Sequence, residues 1–159
     1  MKKTAAILSA AVIAAAASAT VIAAEPKKSD VTISASIEPA YIVSIPANTS
    51  VAFSDTTTDF GSICLDSARL EPDKTVKVTI TSDGELNNSA DNNTVIPYSL
   101  TASNGSTEEK VVSGYSVMLK NAGDKIDLTI NITKNDWNAA AAGNYSDIVN
   151  FTIAYVDDV

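Results

Sequence analysis

The chain of 159 residues contains no histidine, and its one cysteine is Cys64. Without histidine, the commonest general base and the commonest metal ligand are both missing. With one cysteine no disulfide can close within the chain. Cys64 reads as a small buried hydrophobe, because nothing here would activate it as a nucleophile. A disulfide to a second chain is the alternative. Charged residues are scarce at 19%. Neither a G-x-S-x-G nor an H-E-x-x-H motif is present. No nucleophile–base pair can be assembled, so no catalytic residue, metal or cofactor is expected, and the protein does not read as an enzyme. Two carboxylates of glycosidase type are the only formal exception.

Acidic residues outnumber basic ones by 19 to 11, a net charge of −8. Discounting Lys2 and Lys3, which fall in the leader described next, leaves 9 basic residues and a net charge of −10. Such a surface repels phosphate backbones and anionic headgroups, so no nucleic acid or membrane-surface partner is expected.

Residues 1–24 read MKKTAAILSAAVIAAAASATVIAA, with two lysines, an alanine-rich apolar run and small residues suited to signal peptidase. This is the pattern of a secretory signal, and the run is too short and alanine-rich for a membrane span. Cleavage fits after Ala17-Ser18-Ala19 or, preferably, after Ala24, which makes Glu25 the first mature residue. No cysteine follows the run to carry a lipid, and no second apolar run lies near the C-terminus. The mature chain, 25–159, is expected to be one exported domain without a transmembrane segment.

With 45% hydrophobic residues, that domain can bury a core. Its patterning has period 2. Alternation predicts strands over 31–37, 41–45, 75–81, 96–102, 115–119 and 126–132, with a short one at 50–53. Residues 56–59 read as a polar turn into 60–65. Residues 85–94 read as an Asn- and Asp-rich loop, 106–110 as exposed, and 138–142 as a small-residue connection with room for one helical turn. The closing strand, GNYSDIVNFTIAY over 143–155, looks the most strongly patterned. Tyr145, Val149, Phe151, Ile153 and Tyr155 form its inward row, with Asp147 as the one polar member. Pro39, Pro46 and Pro97 belong at edges or strand ends. About eight short strands at turn spacing predict an all-β fold, a sandwich or a barrel.

The ending, from Trp137 through AAAAGNYSDIVNFTIAY, resembles the C-terminal signature of bacterial pilin-like and spore-coat-U-like secreted domains. Gly143, Tyr145, Asp147 and Tyr155 stand at the matching positions, and the strand EPDKTVKVTITS resembles a second major strand of those domains. The resemblance implies an antiparallel immunoglobulin-like sandwich of about seven to nine strands, with a structural or adhesive role at a bacterial surface. Two features depart from it. Pilin-type domains often carry a disulfide, and donor-strand pilins need an N-terminal extension. Residues 25–36 would serve as that extension, but a self-contained first strand is the simpler assignment.

The remaining candidate sites each have a plain structural reading. Asp147, inward-facing, must be paired if buried, or else it caps the strand entrance. The oxygen-rich segments 55–59 and 87–93 suit calcium or are solvated turns. Trp137, Tyr41, Tyr98 and Tyr115 form a sugar platform if exposed, or part of the core if not. Asn87, Asn92, Asn131 and Asn144 start Asn-x-Ser/Thr sequons that this composition yields by chance. Lys77 and Asn150 are a formal pair for a Lys–Asn cross-link. The expectation is an exported cell-surface subunit, pilin-like or adhesin-like, acting through protein partners or self-assembly at the envelope. A secreted carbohydrate-binding module taking glycans is the alternative.

Overall fold

The structure, a computed structural model, describes residues 31–91 and 93–158. The signal peptide assigned to 1–24 lies outside them. Two compact units are distinguished, Met1–Ser36 and Ile37–Val159. Of the first, residues 31–36 are described; they are exposed and have no regular structure.

Among the described residues the second unit holds eleven strands and one short helix: β1 (Ala40–Ser44), β2 (Thr57–Arg69), β3 (Lys74–Thr81), β4 (Glu85–Asn88), β5 (Val95–Pro97), β6 (Ser99–Ser103), β7 (Glu108–Val111), β8 (Tyr115–Leu119), β9 (Lys125–Asn131), α1 (Lys134–Ala139), β10 (Tyr145–Ser146) and β11 (Asn150–Asp157). One sheet runs β1-β2-β9-β6-β7, a second β11-β3-β8, and a small third β10-β4-β5. Every pairing is antiparallel. The all-β fold expected from the alternation is therefore what forms, as an antiparallel sandwich.

The core lies between the first two sheets. Ile63 and Leu65 of β2, Val76, Val78 and Ile80 of β3, and Leu128 of β9 are fully excluded from solvent. Around them pack Leu100, Ala102, Val117 and Leu119. Each is an alternate residue of its strand, so the period-2 pattern became the buried face. β3 is the central strand of its sheet and its inward residues have no exposure at all, because β11 and β8 flank it on both sides.

Five expectations are corrected. Residues 31–37 form no strand: Val31 is 84% exposed, Ile33 94% and Ile37 72%. Alternation marks a face that needs covering, but among the described residues nothing pairs with it. Residues 50–53 are loop. The expected turn at 56–59 and the segment 60–65 are one long strand, β2, bent by a bulge where the register shifts between Asp59 and Gly61. Gly61 takes φ +106, which only glycine adopts readily, and Asp59 Oδ1 accepts from its N–H at 2.8 Å. The loop expected at 85–94 contains β4, which pairs with β5 and β10 in spite of its polar composition, whereas 106–110 is exposed as expected, with Glu108–Val111 forming β7 against β6. The run 96–102 is divided at Tyr98 between β5 and β6, which lie in different sheets.

The closing segment also differs. It is divided into β10 and β11, and β11 is an edge strand paired with β3 alone. None of its residues is buried; Phe151 and Tyr155 are half-buried, and Ile153 is 39% exposed.

Candidate functional site

Both β1 and β11 are edge strands, and they lie on the same side of the sandwich. Tyr41 of β1 stacks on Tyr155 of β11, with ring centroids 5.8 Å apart and planes at 27°. Glu71 N–H donates to the Tyr155 hydroxyl at 2.8 Å, fixing that ring. At this end the two sheets are closed on each other. Further along, the edges part. Beyond β1 the chain continues as Ile45 and Pro46 into the loop 47–56, while on the other side Phe151, Val149 and Ile148 lead back to Asp147.

Between them opens a groove of about 1100 Å³. Its volume stands at the upper limit of small-ligand pockets. Its apolar walls include Ile45, Val51, Phe60, Ile148, Val149 and Phe151, with Phe60 and Phe151 in contact at 6.2 Å between centroids. A second apolar cluster of Ile96, Ile132 and Trp137 lies under its far end, packed by Val51, Leu86, Ala140 and Tyr145. Two large side chains at the groove stand in solvent, Phe53 at 77% and Ile148 at 76%. Phe53 meets the edge of Trp137 at 5.6 Å and 74°. Phe53 and Ile148 are too large and too exposed to be scattered surface residues, since they share one concave surface.

The polar part of the groove is a closed network. Tyr98 donates from its hydroxyl to Asp147 Oδ2, Ser82 donates to the same oxygen at 3.3 Å, and Ile148 N–H donates to Oδ1 at 2.6 Å. Ser82 Oγ lies 2.7 Å from the Tyr98 hydroxyl and accepts from Gly84 N–H at 3.0 Å. Asp147 is thus half-buried and paired. It ties the start of the closing segment to the end of β3 and to the junction of β5 and β6. Burial, and then the Asp147 carboxylate, hold the Tyr98 phenol far above the ordinary tyrosine range.

The wall formed by 140–146 is fixed by a close approach. A Cβ on Gly143 would lie 2.3 Å from Asn88 Nδ2 and 3.1 Å from its Cγ. Asn88 is only 4% exposed, and its Oδ1 accepts from Ala90 N–H at 2.8 Å. Glycine is needed there for space, not for its backbone freedom.

The other sequence candidates separate. Trp137 is 9% exposed and lies beneath Ala140, and its Nε1 donates to Asp55 O at 2.7 Å. Tyr98 reaches the groove beside it, but Tyr41 is stacked on Tyr155, and the Tyr115 hydroxyl donates to Glu109 at 3.0 Å. The four aromatics therefore form no common platform for a sugar. Asp91 caps its own turn, accepting from Asn93 N–H at 3.0 Å and from the Thr94 hydroxyl at 2.8 Å. The Asn93 amide foremost holds its carboxyl below the usual range. Among the described residues no three acidic or cysteine side chains converge as a metal site would require. Lys77 pairs with Ala154 and Asn150 with Thr81, so they stand four rungs apart, about 13 Å at roughly 3.3 Å per residue. That excludes the cross-link between them.

Cys64 is half-buried, not buried, because it lies on the outer row of β2 between Ile63 and Leu65. Hydrogen bonding to Asp66, with some burial, raises its thiol pKa and weakens it as a nucleophile. Of the sequons, Asn144 is exposed, while the Asn131 carboxamide is engaged by Thr57 and Thr101 at 3.4 and 3.3 Å. Asn87 is half-buried in β4, and Asn92 lies outside the described residues. The groove itself was not anticipated from sequence, since one of its walls is the unpatterned loop 45–56.

No family model matches the chain, and no curated protein does. Among solved structures, a chain described with a chaperone–tip adhesin complex vital for synergistic activation of CFA/I fimbriae biogenesis is similar over 71% of this chain, at 12% identity and a TM-score of 0.47. The match covers 41% of that chain, so the present chain spans less than half of its length.

Proposed function

We propose that this protein is an exported structural or adhesive subunit of a bacterial cell surface, and that its copies associate by strand addition. The observation that carries this reading is a complementary pair of features in one chain. Residues 31–37, VTISASI, carry Val31, Ile33, Ala35 and Ile37 at alternate positions, exposed and without a strand partner among the described residues. The side of the sandwich between β1 and β11 has an open apolar groove beside a free strand edge. An incoming strand of a second copy would take backbone hydrogen bonds from the β11 edge and seat alternate apolar side chains in the groove. An uncovered edge of this kind is a hazard in a protein that works alone, and a docking surface in one that assembles. The leader at 1–24 supplies export in this reading, and the acidic surface suits a protein outside the cytoplasm.

Sedimentation of the mature chain over a range of concentrations tests the proposal. Self-association is expected, and Ile33→Asp and Ile148→Asp should each abolish chain growth, the first by spoiling the inserted segment and the second by spoiling the receiving surface. Mixing the two variants should restore dimers, because one intact segment then meets one intact groove. A mature chain that stays monomeric at high concentration overturns the reading.

A further inference from the structure

We propose that the stacked rings of Tyr41 and Tyr155 are an end-stop that fixes the register of a strand held against β11. The inference rests on the strand-acceptor reading above and adds what determines the alignment. A free edge alone does not determine it. β11 runs unbroken in register with β3 from Asn150 to Asp157, so its outer edge offers eight residues of backbone. The segment 31–37 is apolar at every second position. A slip by one residue would turn its apolar face to water, but a slip by two restores the same face. Several alignments would therefore be nearly equal in energy, and assembly would be ragged.

The geometry supplies the missing constraint. Ile45, Phe151 and Val149 line the groove, whereas Tyr41, Val43, Ile153 and Tyr155 do not. The seam thus closes between Phe151 and Tyr155. The closure is built on backbone at both sides. Tyr41 is paired in register with Ala68 of β2, and its ring packs on the core. The Tyr155 hydroxyl is held by Glu71 N–H at 2.8 Å. Just beyond, Lys74 pairs with Asp157 and Lys120 with Asp158, each at 2.6 Å, which ties down the end of the same strand. A strand advancing along β11 meets two stacked rings that bridge the sheets and goes no further. Tyr41 is in this sense a positioning residue, acting through where the guest must end.

The test uses the full mature chain carrying Ile33→Asp, so that its own segment does not compete, with synthetic peptides as probes. One peptide is 31–37, and two others extend it by four native residues at either end, 27–37 and 31–41. Hydrogen exchange of β11 amides and peptide affinity are measured with Tyr41, Tyr41→Phe and Tyr41→Ala. With Tyr41 or phenylalanine, protection should end by Ile153, and the extension that points at the stack should change affinity less than twofold. With alanine, protection should spread to Asp157, and that peptide should tighten about fivefold to tenfold, the gain of one or two net hydrogen bonds. Protection through Asp157 with the ring in place overturns the end-stop alone, as does an unchanged length dependence in Tyr41→Ala. Failure of 31–37 to bind at all overturns the strand-acceptor reading, and the end-stop with it. Should Tyr41→Ala not fold, the protection boundary in the tyrosine and phenylalanine chains decides the matter.

Discussion

At the scale of single residues, two positions hold the groove's far wall, and each by a different physical effect. Gly143 is set by crowding. In Gly143→Ala the new methyl collides with the buried Asn88 carboxamide and displaces it from its bond to Ala90 N–H. A loss of about 1–3 kcal/mol is expected, read from the urea midpoint at unchanged slope. Tyr98 is set by polarity. Tyr98→Phe removes the hydroxyl that Asp147 accepts from, leaving that carboxylate with Ser82 and Ile148 N–H, at a cost of about 1–3 kcal/mol. The same phenol makes stability depend on alkaline pH. Its pKa is raised in the folded chain, while the unfolded chain titrates near 10. Its contribution is therefore complete below about pH 10 and declines as pH rises above that value, because only the unfolded chain can ionise there. Alkaline unfolding followed by tyrosinate absorbance should show this decline, and Tyr98→Phe should flatten it. Asp147 was legible as the one acid on an apolar row, with the requirement that it be paired. Its partners were not, since Ser82 and Tyr98 are 65 and 49 positions away along the chain.

Among elements, the deciding quantity is how many neighbours a strand has. β3 lies between β8 and β11, whereas β11 has only β3. Ile80→Ala should therefore cost about 2–5 kcal/mol, as for any fully buried truncation. Ile153→Ala, at a site 39% exposed, should cost under about 1 kcal/mol. Equal losses in chemical denaturation would mean that β11 is covered in solution even when the protein is monomeric. The contrast also marks where sequence reading succeeds. β3, β8 and β9 announce themselves because Val76, Val78 and Ile80, or Ile126, Leu128 and Ile130, alternate without interruption. β2 was cut short because a bulge at Gly61 breaks its phase. β4 was missed because Asn87 and Asn88 carry no apolar signal, and its partners β5 and β10 come from elsewhere in the chain. Alternation in 31–37 and in 149–155 was read as burial. It records which face is apolar, whereas burial also needs a neighbour that local sequence does not name.

For the whole molecule, charge and apolar surface act against each other. A chain of net charge −8 repels its copies, while exposed Ile33, Ile37, Phe53 and Ile148 would draw them together in the proposed assembly. Raising salt from about 0.01 M to 0.15 M shortens the screening length from about 30 Å to 8 Å. Association should therefore strengthen, and light scattering at fixed protein concentration would register it. Dissociation under the same change would point instead to ion pairs between copies. The arrangement of the two complementary parts has one more consequence. The segment at 31–37 and the seam beside β11 are different surfaces, so if copies join as proposed, a segment handed on to the next copy makes a heterologous contact that need not close. Subunits joined in that way would form a polar fibre. One tip would show a vacant seam and the other a spare strand, so a terminating protein shaped for one tip would leave the other free to grow.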